Sequence, residues 1–176
     1  MAKAKTSVFT LTHEMDIPLT PTTSTIPIGS LIDVGDAQAL EILSVDYIFQ
    51  GYDTTLDAYL PNPDVMGTSP ASFYAQLTDR NTGAFISAAD NNLISSAMLS
   101  IGGGGVYDNT ADYFPDDFKG TSGRFVVNDE LYLTADCSTT YDAAKICKLS
   151  VRIRAKIVKL STRDWMAISL ETVQNE

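Results

Sequence analysis

The sequence predicts an all-β fold, a sandwich or barrel of short strands. Three observations point to it. Apolar residues alternate with polar ones over short runs, the period of a strand with one buried face. Clusters of turn-forming residues (PTTS, GYD, PNPD, DRNTG, GGGG, FPDD, KGTSG, STTYD) separate those runs. Helical periodicity is thin throughout.

Taken in chain order, the expected strands are residues 6–12 (TSVFTLT), 25–34 (TIPIGSLIDV), 40–50 (LEILSVDYIFQ) and 72–78 (SFYAQLT). They continue with 93–100 (LISSAMLS), 124–135 (RFVVNDELYLTA), 148–161 (KLSVRIRAKIVKLS) and 165–173 (WMAISLETV). One or two short helices fit the remaining pattern. Residues 86–98 offer Asp90 as a cap, and 53–60 run up to the breaks at Pro61 and Pro63. Residues 102–123 read as a long loop, opened by GGGG and punctuated by Pro115, Gly120 and Gly123. Eight strands with long loops suggest a single jelly-roll domain over residues 1–176, two packed sheets of four, with residues 1–7 as a short N-terminal arm. Another β-sandwich topology fits the same strand count.

The 176 residues suffice for one domain that buries about two thirds of its unfolded surface. A hydrophobic fraction of 44% and a charged fraction of 19% are those of a globular chain. No apolar run reaches the length of about 18 residues that a membrane helix needs. The start MAKAKTSVFTLT lacks the apolar segment of a secretion signal, so synthesis in a cytoplasm is expected. Cys137 and Cys147 flank STTYDAAKI. They fit two reduced thiols, or a disulfide across a hairpin mouth if the strands bring their Cα atoms within about 7 Å.

Charge is segregated. Between Thr6 and Phe118 there are 15 acids, and the only Lys or Arg is Arg80. Between Lys145 and Arg163 there are seven bases and no acid, in a chain of net charge −10. Within that basic stretch Leu149, Val151, Ile153, Ala155 and Ile157 alternate with Ser150, Arg152, Arg154 and Lys156, so one strand face is oil and the other cationic. Arg152, Arg154 and Lys156, with Lys159 and Arg163 beyond them, are the candidate interface residues. Acidic loops of one copy would meet the basic strand of another. Direct nucleic-acid binding is not expected of so acidic a domain.

Catalytic and metal-binding patterns are sparse. His13 is the only histidine and lacks the second one of HExxH, so neither a zincin nor a histidine-rich barrel site can be built. GGGG is followed by VYD without the lysine of a phosphate loop. Asp108, Asp112, Asp116 and Asp117 crowd one loop and are candidate calcium ligands at a subunit contact, although their spacing is not that of a calcium loop. Tyr52, Tyr59, Tyr107, Tyr113 and Phe114 could line a sugar platform, or bury against neighbouring loops. No carboxylate pair stands out for glycoside hydrolysis. No enzyme activity and no cofactor are expected.

Residues 124–171 resemble the closing strands of single jelly-roll viral capsid proteins: an NDELYL strand, an RIRAKIVKL strand and a final DWMAISL strand. Residues 73–96 are similar to the middle of such proteins, where a QLT strand runs into polar turns. The resemblance implies a structural virion protein, made in the host cytoplasm, whose copies form an icosahedral shell. Members that bind the genome directly typically carry a long basic N-terminal arm, whereas MAKAKTS is short and weakly charged. The resemblance therefore points toward capsid proteins of bacterial and archaeal viruses with an internal membrane. It implies, as partners, copies of the chain, a second capsid or minor virion protein, and lipid headgroups. The competing reading is a β-sandwich that binds a carbohydrate or receptor, such as a viral spike module.

Overall fold

The structure is a computed structural model that describes residues 2–60, 70–102, 107–108, 123–138 and 144–173. Its strands are β1 (Lys3–Ala4), β2 (Phe9–Asp16), β3 (Thr22–Pro27), β4 (Gln38–Asp53), β5 (Ala58–Leu60) and β6 (Ala71–Thr78). They continue with β7 (Leu93–Ile101), β8 (Tyr107–Asp108), β9 (Arg124–Val126), β10 (Glu130–Cys137) and β11 (Lys145–Lys159), before helix α1 (Thr162–Val173).

Two antiparallel sheets pack face to face. In the first, β2 pairs with β11, β11 with β4 and β4 with β9, while β1 and β5 extend its edges. In the second the order is β3, β10, β6, β7, β8. With the short strands β1, β5 and β8 set aside, eight remain. One sheet then runs first, eighth, third, sixth, and the other second, seventh, fourth, fifth. That is the jelly-roll order, in which consecutive strands alternate between sheets except the fourth and fifth, which pair within the second.

The core lies between the sheets. Leu149, Val151, Ile153 and Ala155 of β11 face Phe73, Leu77, Leu131 and Leu133 of the second sheet, all essentially without solvent exposure. The inward parity of β4 changes along its length. Leu40 and Ile42 point inward near its start, and Val45, Tyr47 and Phe49 farther on. A β-bulge makes this possible: Arg154 pairs with Ser44 but Ala155 with Ile42, leaving Leu43 as the extra residue. The inserted residue reverses which side chains face the core without breaking the ladder.

Expectation and structure differ at several places. The strand expected over 25–34 is β3, which begins at Thr22 and ends at Pro27. Residues 165–173 form α1, not a strand. The Ser161 hydroxyl accepts the Asp164 amide at 3.1 Å, and Asp164 adds a favourable charge to the first turn. Trp165 and Ile168, one helical step apart, then cover Ala39, Val127, Val158 and Leu160 on the outer end of the first sheet. A short apolar run does not by itself distinguish helix from strand. Residues 124–135 split into β9 and β10, which belong to different sheets, because the corner at 127–129 carries the chain across the sandwich. The short helix that 86–98 could have held does not form, and the strand expected over 93–100 is β7. The helix expected over 53–60 is replaced by a turn in which the Asp53 carboxylate accepts the amides of Thr55 and Leu56, ahead of β5. Part of the expected N-terminal arm also joins the fold, since Lys3 and Ala4 pair with Lys159 and Val158.

Replacing Ile153 with alanine removes a side chain that is 1% exposed at the centre of the core. The expected loss is about 2–5 kcal/mol, measurable by urea unfolding of the purified variant.

Candidate assembly surface

The outer face of the first sheet is built by three neighbouring strands. Reading outward side chains along β11, Lys148 lies between Asp16 of β2 and Gln50 of β4, and Ser150 between Glu14 and Ile48. Arg152 lies between Thr12 and Asp46, and Arg154 between Thr10 and Ser44. The alternation of β11 is therefore as expected, with oil inside and charge outside.

Lys148, Lys156 and Lys159 are neutralised within the chain. Lys148 reaches Asp16 at 3.0 Å and Glu14 at 3.2 Å, with its ammonium 5.3 Å from the centre of the Tyr52 ring. The Asp16 hydrogen bond leads in raising the Lys148 pKa, followed in the same direction by Glu14. Lys156 pairs at 3.1 Å with Glu41, whose side chain is buried. Lys159 and Lys5 both bind Asp36. The Lys159 hydrogen bond, then those of Gln38 and Lys5, hold the Asp36 carboxyl down at about 2. Much of the charge segregation seen along the sequence is thus closed inside one copy, where the acids of β2 and β4 flank the bases of β11. This corrects the expectation that both halves of the asymmetry await another subunit.

Arg152 and Arg154 remain. Both are exposed, and neither forms an ion pair among the described residues. Arg163, at the start of α1, is likewise exposed and makes no ion pair there. Close to Arg152, Ile48 leaves 37% of its surface in water. Of the five expected interface residues, three keep a free charge, while Lys156 and Lys159 are engaged in the fold.

The second sheet carries a feature that sequence reading missed. An open groove of about 380 Å³ lies on its outer face, lined by Tyr74, Gln76, Phe85, Ser96, Met98 and Asp136 among others. Ladder register places Asp136, Tyr74 and Met98 in one row across β10, β6 and β7. Gln76 clamps the loop over the sheet: its side-chain amide donates to the Ile86 carbonyl at 3.0 Å, and its side-chain carbonyl accepts the Ile86 amide at 2.9 Å. The clamp brings Phe85 edge-on to Tyr74, with ring centroids 6.3 Å apart. Burial raises the Asp136 carboxyl pKa, and no described cation pairs with it. These residues are spread over more than 60 positions, so no local motif announces the site.

The remaining expected sites resolve as follows. His13 shares a 2.8 Å hydrogen bond with Ser24, tying β2 to β3, and burial lowers its pKa. Cys137 and Cys147 are buried thiols with no disulfide between them. Their strands, β10 and β11, belong to different sheets, so the two residues do not flank one hairpin as the disulfide alternative required. Both sit beside the β2–β3 turn, where the Cys137 amide donates to Pro18 and the Ile17 amide to Cys147. Burial, with a smaller effect from Cys137, pushes the Cys147 thiol up to about 12. Asp112, Asp116 and Asp117 lie outside the described residues, as do Tyr113, Phe114 and the side chains of Tyr107 and Asp108. Among the described residues no three His, Cys, Asp or Glu side chains cluster as a metal site would require, and no helix is long and apolar enough to cross a membrane.

No family model and no curated protein matches the chain. Among solved structures it is similar to VP1 of Trichodysplasia spinulosa-associated polyomavirus in complex with GM1 oligosaccharide. The two share 9% identity over 90% of this chain and 97% of that one, with a TM-score of 0.48. It is also similar to a structure of Desmodium yellow mottle tymovirus, at 12% identity over 89% of this chain and 90% of that one, with a TM-score of 0.37. A structure of turnip yellow mosaic virus matches at 13% identity over 88% and 94% of the two chains, with a TM-score of 0.36. The jelly-roll assignment stands on the strand pairings of the chain itself.

Two measurements check this electrostatic account. Arg154→Ala should leave the stability of the monomer within about 0.5 kcal/mol of the parent, read by urea unfolding, because its exposed side chain makes no hydrogen bond or ion pair among the described residues. Asp36 should titrate near 2 instead of at its ordinary 3.8 in a carboxyl-carbon NMR titration. Because the folded value is the lower one, its contribution is in place above about pH 4 and is lost as the pH falls toward 2.

Proposed function

We propose that this chain is a structural subunit of a viral capsid, non-enzymatic, that assembles with copies of itself. The observation that carries the reading is the outer face of the first sheet. On that face Lys148 and Lys156 are matched within the chain, while Arg152, close to Ile48, and Arg154 are exposed and form no ion pair among the described residues. Exposed arginines beside apolar surface are characteristic of protein interfaces. The jelly-roll order fits the same reading, because the fold is used by capsid proteins, lectins and cupins. A cupin needs a cluster of metal ligands, and this chain has one histidine, engaged by Ser24. The resemblance of the NDELYL and RIRAKIVKL strands, β10 and β11, to closing strands of capsid proteins supports the first of the three uses, although the third expected strand, DWMAISL, lies in helix α1.

In its finer form the proposal places the protein in the virion after synthesis in the host cytoplasm, in an icosahedral lattice that a second capsid or minor protein can share. The same arginines suit anionic headgroups where such a shell encloses a membrane. Direct nucleic-acid binding is not part of the proposal.

Carbohydrate or receptor binding is the second reading. The groove with Tyr74 and Phe85 is the observation that favours it. Retention of a stable monomer on a glycan array would select it.

Negative-stain microscopy and analytical ultracentrifugation of the purified chain test the assembly reading. Rings or closed shells are expected, and they should weaken as salt rises from about 50 to about 500 mM, because exposed charges are then screened. A chain that stays monomeric at every concentration overturns the proposal.

A further inference from the structure

The groove on the second sheet and the arginines on the first lie on opposite outer faces of the sandwich, and each lacks what the other offers. Asp136 is a partly desolvated carboxylate with no cation beside it among the described residues, set in a row with Tyr74 and Met98 and overlooked by Phe85. We propose that this groove receives an arginine side chain, Arg152 or Arg154, from the first sheet of a neighbouring copy. The proposal rests on the assembly reading and names its contact.

The chemistry favours a guanidinium over other guests. It is planar and weakly hydrated, stacks against aromatic rings and pairs with a carboxylate through two parallel hydrogen bonds. Met98 and the two rings supply an apolar wall for the arginine stem. A sugar would need several free hydrogen-bonding groups. Gln76, the one amide side chain lining the groove, has both ends committed to Ile86. On the donor side the lysines of β11 that pair with Glu14, Asp16, Glu41 and Asp36 are already neutralised, and the two arginines are not. Their Cα atoms stand about 7 Å apart along the strand, so a sliding contact can engage either one. Donor and acceptor surfaces differ, so the contact is head-to-tail, the kind that closes into rings or extends into larger assemblies.

Sedimentation of three proteins tests this: the parent, Asp136→Asn, and the double variant Arg152→Ala/Arg154→Ala. Each variant should weaken self-association about tenfold or more with an unchanged melting temperature. Mixed together, the two variants should form one-to-one complexes that grow no further, because each brings one intact half of the contact. Should Asp136→Asn lower the melting temperature, Tyr74→Ser on the exposed rim takes its place in the same comparison. Parent-like association of the groove variant, or a mixture that stays monomeric, overturns the contact while leaving assembly itself standing. A parent chain that never associates overturns both. In the dilute monomer, N-acetylarginine amide should shift the Met98 methyl resonance. A shift with a neutral oligosaccharide and none with the arginine derivative would assign the groove to a sugar and overturn the inference.

Discussion

The pairing of β4 with β11 holds the rest of the molecule in place. It runs without a gap from Lys145 opposite Asp53 to Lys159 opposite Gln38, and it is central to the first sheet, flanked by β1 and β2 on one side and β5 and β9 on the other. Two strands of this length, one from the first third of the chain and one from its end, can stay in register only if both keep their apolar sides inward throughout. The inward parity of β4 changes at Leu43, so an ideal ladder would turn half of that strand inside out. The bulge reconciles the two patterns, which makes one irregular residue a condition of the core.

Fixing that register also fixes the electrostatics of the outer face. Once Lys148 stands beside Asp16, and Lys156 beside Glu41, those two lysine charges are balanced. The buried Glu41 carboxylate needs such a partner, because a charge taken out of water is costly unless paired. At Arg152 and Arg154 the flanking strands mostly present Thr10, Thr12 and Ser44, which offer hydroxyls but no counter-charge. Asp46 stands opposite Arg152 in the register without forming an ion pair. The same ladder thus stabilises the sheet and leaves two cations facing outward, linking packing to association.

The opposite face follows a different logic. Its outward side chains include Thr23, Thr134, Gln76 and Ser96, small or uncharged groups that make a shallow polar floor. What turns that floor into a groove is a loop held down by one glutamine, with Phe85 at its turn and Asp136 at the far side. Near one end of this sheet a buried cluster repeats the theme of charge balanced by register. Arg124 of β9 reaches across to Asp79 at 3.2 Å, yet burial still raises the Asp79 pKa because desolvation outweighs the attraction.

By itself the sequence determined the strand class of the fold, the positions of most strands, the inward row of β11 and the shortage of catalytic groups, because alternation and composition are properties of neighbouring residues. Only the tertiary structure decided that residues 165–173 wind into a helix: Trp165 and Ile168 share a face only against the patch formed by Ala39 and Val158. Tertiary structure likewise decided which charges cancel. Lys148 and Asp16 lie 132 positions apart, and no local pattern records that they will touch. The groove depends on the same kind of distant pairing. Register between remote strands is set by the burial of their apolar faces, and the polar side chains on the other faces are carried into contact as a consequence.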